Sequence, residues 1–512
     1  TVPVGRQPLA LAIAEDALWV ADADGAVLRL DPESDQVGAR VETGSAPAGV
    51  VDFDGEIWVT TVAPPTAHRG GTLRVGSPPT ELDPAVGNYN PDSFLVDPLA
   101  YESLVGYRRV GGSAGSRLVG ELATGVPEAV DGGHRYVFQL RSGVRYSDGS
   151  PLRATDVRAS LERTLVLNAE TISGLFEATV GVDRCLAMGP RCDLSDGVVA
   201  NDSAGTVTFN LRKPDPHLPE ALTFLLITPA DTPRTLLRDA PPPGTGPYRL
   251  EEVVPDRGAV LTRNPYFDAA QQSGRPPGFA DRVEVEMGDE REQLGAVEKD
   301  RLDVGTVFAP ASGSTAGLRT RLGARVRSGA YAMTEYAWLN TKTPPFDDPR
   351  VRQALNLAVD RGRVIDLTGG PEAGAPTCQL LPPGLPGYRP GCSFTVAPSP
   401  AGAWTGPDPA RARQLIAKSG AGATPVEVWS WPDRASVGRY LADVLTGLGF
   451  PAHVRVFKDL GESVMAVERP GEHPQIGLNG WIADSPDSAL FLRSLVGCEG
   501  DFNLSSFCDP AI

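Results

Sequence analysis

A repeat of 39 residues occupies the start of the chain and then stops, so a single architecture cannot account for all 512 residues. The residues that recur at this interval are Gly5 as Gly44, Pro8 as Pro47, and Trp19 as Trp58. A period near ~40 residues with one Trp-bearing strand per repeat is typical of β-propeller blades. We therefore predict two partial all-β blades over residues 1–63, too few to close a ring without further repeats upstream or a body on which to pack.

After a Pro-containing linker at residues 64–69, the pattern changes to strands alternating with capped helices. Asp348 precedes Pro349, and Asp408 precedes Pro409, which places an acceptor side chain at the N-cap and proline at the first helical position. Residues 135–140 and 206–211 alternate as half-buried strands do. The body is therefore predicted to be α/β. It should hold more than one domain, because single cores stop growing near ~250–300 residues.

The charge balance excludes some classes of partner. There are 47 Lys and Arg against 64 Asp and Glu, a net charge of −17, so the surface repels nucleic acid and anionic membranes. No apolar run approaches the ~20 residues of a membrane-spanning helix, and no signal peptide opens the chain. If the protein is exported, we expect its targeting segment upstream of Thr1.

The six cysteines fall into three local couples: Cys185 with Cys192, Cys378 with Cys392, and Cys498 with Cys508. An even number in such couples favours disulfides in an oxidising compartment, although six cysteines formally allow about fifteen pairings. The alternative is six reduced cysteines in a cytosolic protein. No CxxC or Cys/His cluster indicates a metal site, so we predict neither a metal nor a cofactor.

Eight segments in order connect the body to a known family; they are residues 70–75, 82–84, 101–105, 136–163, 244–248, 263–267, 340–360 and 480–487. From Gly70 onward the chain resembles the family 5 extracellular solute-binding proteins, the peptide- and nickel-binding class of ABC importers. Residues 1–63 resemble the YVTN/NHL-type blades of bacterial surface proteins.

The resemblance implies a two-lobed, periplasmic-binding-protein-like fold with an extra subdomain. Lobe I would span residues 70–305, with the subdomain at about 99–212, and lobe II would span 306–512. The family's chain normally returns to lobe I after the segment that matches the end of this sequence, so we expect that return downstream of Ile512.

The resemblance also implies a function without catalysis. A monomeric extracellular protein would close two lobes around a small solute, such as an oligopeptide or another amine, and deliver it to an ABC permease. It would be tethered to the cell surface through a segment outside this sequence. The alternative is a ligand-sensing ectodomain of a larger receptor or signalling protein, because a propeller directly before the binding body is unusual for a free-standing importer subunit.

Asp484 is the first candidate site residue. It matches the carboxylate that pairs with the ligand's α-ammonium group in peptide-binding relatives, and a carboxylate in a closed site binds an amine through a short charge-assisted hydrogen bond. The other interpretation is a turn cap before Pro486. Ser485 and Ser488 depart from the family pattern, which leaves ligands other than peptides open.

Aromatic residues supply the remaining candidates. Trp481 is predicted either to line the ligand or to pack in a core. Trp429 and Trp431 are two apart at the end of a strand and should face the same side, which is either a cleft wall or the core of lobe II. Three further candidates, chosen by their positions in the resembling segments, are Tyr89, Asn90 and Trp338.

One motif favours an enzyme. Residues 111–115 match the GxSxG nucleophile elbow, which requires a strand before Ser113 and a helix directly after it. Residues 116–119 instead have the pattern of a returning strand, so we predict a hairpin loop and no catalytic residue.

Overall fold

The computed structural model describes residues 4, 8–14, 17–22, 26–43, 47–53, 56–61, 69–87, 96–109, 115–268, 275, 277–306, 317–327, 329, 331–371, 373–398, 401–421, 423–467, 469–483, 485–498, 500 and 502–509, with the backbone alone at residues 171, 319 and 324. Within these ranges no helix has the length and apolar character needed to cross a membrane. The chain divides into two compact units, Thr1–Gly305 and Thr306–Ile512. The division falls where the sequence places the boundary between the lobes, while the assignment of the units to lobes stays a prediction.

The first six strands carry the 39-residue repeat; they are β1 Pro8–Ala14, β2 Ala17–Asp22, β3 Ala26–Asp31, β4 Gln36–Glu42, β5 Pro47–Phe53 and β6 Glu56–Thr61. β1 to β4 form an antiparallel sheet in chain order, and β5 and β6 form a separate hairpin. The bounds of β5 and β6 are those of β1 and β2 moved by 39 residues. The sequence repeat is thus a structural repeat, but the described strands do not close into a propeller.

The rest of the first unit contains strands and short helices, which are β7 Thr72–Ser77, α1 Asp97–Ala100, β8 Val105–Tyr107, β9 Leu118–Gly120, β10 Arg135–Gln139, α2 Ala154–Leu167, α3 Ala169–Phe176, α4 Val182–Met188, β11 Val198–Asn201, β12 Thr206–Asn210, α5 Leu218–Ala221, β13 Tyr248–Val254, β14 Gly258–Arg263, β15 Arg282–Met287 and α6 Glu290–Glu298. One sheet has the order β10-β12-β11, and a second has the order β13-β14-β15-β7 with β15 and β7 parallel.

Helix α2 organises the larger core of this unit. Val157, Leu161 and Leu165 are spaced by four residues, lie on one face of the helix, and are all buried. They pack with Phe138 and Phe209 from β10 and β12, whose rings meet edge to face. The alternating strands predicted from the sequence therefore supply one side of the core, and the helix supplies the other.

Strands β8 and β9 flank the GxSxG motif at residues 111–115 and show whether a hairpin or a strand–helix turn surrounds it. They pair antiparallel, with Gly106 opposite Val119, and β9 begins at Leu118; none of the described residues between the strands, 108–109 and 115–117, is α-helical. The hairpin expected from the sequence is present. Ser113 itself lies outside the described residues.

The second unit contains α7 Leu318–Leu322, β16 Met333–Leu339, α8 Pro349–Ala358, α9 Arg361–Thr368, α10 Pro409–Ser419, β17 Val426–Ser430, α11 Ala435–Gly447, β18 Ala452–Val456, α12 Leu460–Ala466, β19 Ile476–Ile482 and α13 Ser488–Val496. Its sheet has the order β16-β19-β17-β18, in which β16 and β19 are antiparallel and the other pairs are parallel. One side of this sheet packs against α8, α10 and α11 in a large apolar core.

The predicted helix starts in this unit are confirmed. Asp348 accepts a hydrogen bond from the Arg350 amide at 2.8 Å, and Asp408 accepts one from the Arg411 amide at 3.0 Å. Both carboxylates satisfy amides that the first turn of a helix leaves unpaired. Gly420 ends α10 with a positive φ of 71°, a conformation that glycine adopts without a Cβ clash.

The six cysteines form three disulfides, each within one of the local couples. Cys185–Cys192 lies beside the α2 core in the first unit. Cys378–Cys392 and Cys498–Cys508 close two loops in the second unit, so the local pairing expected from the sequence is the pairing observed.

Candidate functional site

The pairing of β16 with β19 brings together the polar and aromatic residues of the second unit. Thr334 is opposite Trp481, Tyr336 is opposite Asn479, and Trp338 is opposite Gly477. Directly opposed residues in an antiparallel pair share a face of the sheet. We call the face that carries Thr334, Tyr336, Trp338, Asn479 and Trp481 the aromatic face; the other face belongs to the apolar core.

Glycine at position 477 makes room for a large ring on this face. A Cβ atom at Gly477 would lie 2.4 Å from Cζ2 of Trp338, well inside van der Waals contact. Any other residue would displace the indole. The small residue on β19 and the large residue on β16 therefore fit together as a pair.

Trp481 lies at the end of β19 and is partly buried. Its ring is tilted by 48° against Phe502, with 4.4 Å between ring centroids, and its other neighbours include Leu385, Phe491 and Leu495. The indole N–H is enclosed and finds no acceptor among the described residues. A buried N–H without an acceptor costs free energy, so the surrounding packing must hold the ring in this orientation.

Tyr336 and Asn479 form the polar centre of the aromatic face. The Asn479 amide donates to the Tyr336 hydroxyl at 3.3 Å, and burial raises the pKa of Tyr336 to about 12. Tyr336 is therefore a neutral hydroxyl at physiological pH. A neutral hydroxyl and a neutral amide suit hydrogen bonding to a polar ligand better than proton transfer.

Trp338 and Trp429 lie inside the second unit. Their exposed fractions are 4% and 1%, and their rings meet edge to face at 6.1 Å. The Trp429 indole donates to Glu427 at 2.8 Å, and Phe457 and Leu504 complete the cluster. Both rings are fully surrounded here, as core residues are, and their contact with a ligand stays a prediction.

Trp431 does not share a side with Trp429, and the expectation that it would was wrong. Trp429 belongs to the cluster with Trp338, whereas Trp431 packs against the large apolar core. The physical reason is local. β17 ends at Ser430 and a short 3₁₀ turn begins at Pro432, so Trp431 lies between the two, where no neighbouring strand pairs with it to fix its side chain.

Asp484, Tyr89 and Asn90 lie outside the described residues. Around Asp484, the Ala483 amide donates to the Ala332 carbonyl at 2.7 Å, and Asp487 caps α13 by accepting from the Ala489 amide at 2.7 Å. The role of Asp484 stays a prediction. Across the described ranges, no three His, Cys, Asp or Glu side chains are grouped so as to hold a metal ion.

Phe502 and Leu504 adjoin candidate site residues, and sequence reasoning missed both. Both belong to the loop closed by Cys498 and Cys508, and both pack on tryptophans that were predicted. The signal available in the sequence was the short spacing of this cysteine couple so soon after Trp481.

Comparisons with known proteins identify the fold and the family. The sequence model for bacterial extracellular solute-binding proteins, family 5 Middle, matches residues 117–503. Among solved structures, "Clavulanic acid biosynthesis oligopeptide binding protein 2" superposes with a TM-score of 0.74 at 26% identity, covering 87% of this chain and 83% of that one. The fold is therefore the two-lobed α/β fold of periplasmic solute-binding proteins. The chain belongs to the bacterial extracellular solute-binding proteins, family 5.

Two relatives show the range of solutes named within this family. "Probable di/tripeptide-binding protein 5" of Pseudomonas aeruginosa is 27% identical over 297 residues, which are 55% of this chain and 51% of the relative. "Probable deoxycholate-binding periplasmic protein YgiS" of Escherichia coli is 28% identical over 275 residues, which are 51% of this chain and 48% of the relative. The matched region thus spans about half the length of each.

Proposed function

We propose that this protein captures a short peptide outside the cytoplasm and passes it to an ABC permease. The observation that carries the proposal is the aromatic face, where the partly exposed Trp481 lies three residues before Asp484 at the end of β19. The name of the Pseudomonas aeruginosa relative supports a di- or tripeptide as the solute.

The chemistry of these residues suits a peptide. The Asp484 carboxylate would bind the ligand's ammonium group through a charge-assisted hydrogen bond, and the Trp481 ring would cover an apolar side chain. Tyr336 and Asn479 offer neutral hydrogen-bonding groups close by. In this proposal nothing is transformed, so affinity and not turnover is the property to measure.

A thermal-shift screen over di- to pentapeptides tests the proposal, with deoxycholate and metal chelates as the competing ligand classes. A peptide that binds should raise the Tm, because a ligand that binds only the folded state stabilises it. Asp484→Asn should remove most of the rise, while Asp366→Asn, an exposed carboxylate on α9, should leave it intact. A shift with deoxycholate alone would refute the peptide proposal.

The assembly and location of the protein are part of the same proposal. We expect a monomer, tethered to the cell surface through a segment outside residues 1–512, whose two lobes close on the ligand before it docks on the permease. Light scattering would test the monomer, and co-purification with the permease in the presence of the ligand would test the docking.

A sensory ectodomain is the second candidate, and the N-terminal repeat favours it. We propose that β1 to β4 are one propeller blade and that β5 and β6 are half of the next, because their bounds repeat at 39 residues. The sequence of the gene product upstream of Thr1 would separate the two functions. A lipoprotein signal there would support import, and a spanning helix or kinase domain would support sensing.

A further inference from the structure

The loop of residues 498–508 packs on the aromatic face. The Phe502 ring lies against Trp481 at 4.4 Å, and Leu504 lies in the cluster that contains Trp338 and Trp429. Three of the four tryptophans predicted as ligand contacts therefore share a cluster or a ring contact with this one loop. Nothing in the sequence motif around Trp481 includes these two residues.

The described residues of the loop are firmly held. The Asn503 amide donates to the Gly497 carbonyl at 2.9 Å and to the Phe507 carbonyl at 2.6 Å, which joins the two ends of the loop. The Thr341 amide donates to the Ser505 carbonyl at 2.8 Å, which fastens the loop beyond the end of β16. Together with the Cys498–Cys508 disulfide, these bonds leave Phe502 little freedom to move away from Trp481.

Trp481 needs such a support. Its indole N–H is enclosed without an acceptor among the described residues, so a rotation that brought the N–H to water or an acceptor would remove the cost of the missing hydrogen bond. Phe502 is 39% exposed, and part of its ring lies against Trp481 while part faces solvent. The phenyl ring thus stands at the edge of the aromatic face, where it opposes that rotation.

We propose that Phe502 is a positioning residue that fixes the Trp481 indole for ligand binding, and that the Cys498–Cys508 disulfide keeps Phe502 in place. The part that concerns ligand binding rests on the proposed peptide-binding function. The part that concerns the position of Trp481 does not, and it is measurable in the protein without a ligand.

The ligand-free experiment is acrylamide quenching of tryptophan fluorescence in the full chain. The Trp481 signal is the difference between each protein and the same protein carrying Trp481→Phe. In Phe502→Ala, acrylamide should quench Trp481 more strongly than in the wild-type protein. In Phe502→Tyr, the quenching should stay at the wild-type level because the ring is retained. Phe507→Ala, which removes the other phenylalanine of the same loop, is the matched control and should change nothing.

The role of the Cys498–Cys508 disulfide is tested by a second pair of variants. Replacing Cys498 and Cys508 by serine should reproduce the loss seen in Phe502→Ala, whereas replacing Cys185 and Cys192 in the first unit should leave Trp481 protected. Unchanged quenching of Trp481 in Phe502→Ala would overturn the proposal. So would equal losses in Phe502→Ala and Phe507→Ala, since these would mean only that the loop had been loosened.

Binding of the dipeptide Ala-Phe by calorimetry gives the second readout. An aromatic contact of this kind corresponds to roughly a three- to tenfold weakening of affinity when it is removed, and Phe502→Tyr should restore the affinity. If the wild-type protein binds neither this dipeptide nor any other, the peptide proposal fails, while the quenching result still decides the positioning role. Wild-type affinity in Phe502→Ala would refute a role for Phe502 in binding.

Discussion

The interiors of the two units differ in charge. The first unit buries Asp83 against Arg163, and Glu102 and Glu121 against Arg275. In the described part of the second unit, the buried polar residues are all uncharged Ser, Thr or Asn, and the ion pairs lie nearer the surface. The first unit therefore combines an apolar core with buried ion pairs, whereas the described part of the second unit has an apolar core and no buried charged residue.

The Asp83–Arg163 pair shows why buried charge gives specificity more readily than stability. Two nitrogens of Arg163 donate to the two Asp83 oxygens at 2.6 and 2.5 Å, and Arg163 also donates to the Pro233 carbonyl at 2.7 Å. The Leu237 amide donates to Asp83 at 2.8 Å. All of these groups lose water on folding, so the pair stabilises the fold only while every bond is made. It joins helix α2 to the segments around Asp83 and Leu237, which lie far apart in sequence.

The largest effect is expected from breaking this pair. Asp83→Ala should lower the free energy of unfolding of the first unit by about 3–5 kcal/mol, because it leaves Arg163 buried without its counter-ion. Hydrogen exchange of the α2 amides would report the loss, and those of α11 should not change. The exposed pair Arg184–Asp196 is the control, since Asp196→Ala should cost no more than about 1 kcal/mol. Equal losses of stability in Asp83→Ala and Asp196→Ala would contradict the expected difference between a buried and an exposed ion pair.

A substitution that leaves a cavity in the apolar core is the corresponding test for the second unit. Leu445 is fully buried on α11, and Leu445→Ala should cost about 3 kcal/mol through lost contacts and the empty space left behind. Exchange of the β17 amides would report it. Met465→Ala, at an exposed position on α12, should change the free energy of unfolding by less than about 0.5 kcal/mol.

The acid pair around Arg275 makes the stability of the first unit depend on pH. Burial raises the pKa of Glu102 from 4.5 to about 7, and the nearby Glu121 adds to the rise while Arg275 opposes it. The protonated form therefore favours the folded state. This stabilisation is complete below pH 4.5 and is lost as the pH rises through 7, a change of no more than about 3 kcal/mol.

Glu102→Gln should flatten this pH dependence, because a neutral amide cannot lose the proton. Urea unfolding of the first unit between pH 4.5 and 8 would show it, and Glu128→Gln, at an exposed site, should keep the wild-type slope. Glu121 behaves in the opposite way. Despite burial, its contacts with Arg275 hold its pKa below the usual value. A wild-type slope in Glu102→Gln would remove Glu102 as the cause.

The smallest effect is expected at a helix start in the second unit. Asp348→Ala removes the acceptor for the Arg350 amide and should cost about 1 kcal/mol, whereas Asp348→Asn keeps an acceptor and should cost a few tenths of that. Thermal unfolding monitored in the second unit would compare them. Equal losses would show that the ion pair with Arg350, and not the cap, is what stabilises the helix.

Much of the fold could be predicted because its signals are local. The caps at Asp348 and Asp408, the β8–β9 hairpin and the three disulfides each depend on residues close together in sequence. That Trp429 and Trp431 pack in different clusters could not be predicted in this way. β17 ends at Ser430, one residue before Trp431, so the strand pairing that places Trp429 does not extend to Trp431.

The sequence by itself determined the repeat, the elements of the body and the family, since each is written in short segments whose order is visible. Only the tertiary structure decided that Trp338 and Trp429 are interior, that the Phe502 ring contacts Trp481, and which residues pair with Asp83 and Arg275. These contacts join residues that are far apart in sequence; Arg275 and Glu121, for example, are 154 positions apart. A local pattern can predict which face of a strand or helix is buried, but whether a particular tryptophan is interior also depends on residues far away in sequence that pack around it.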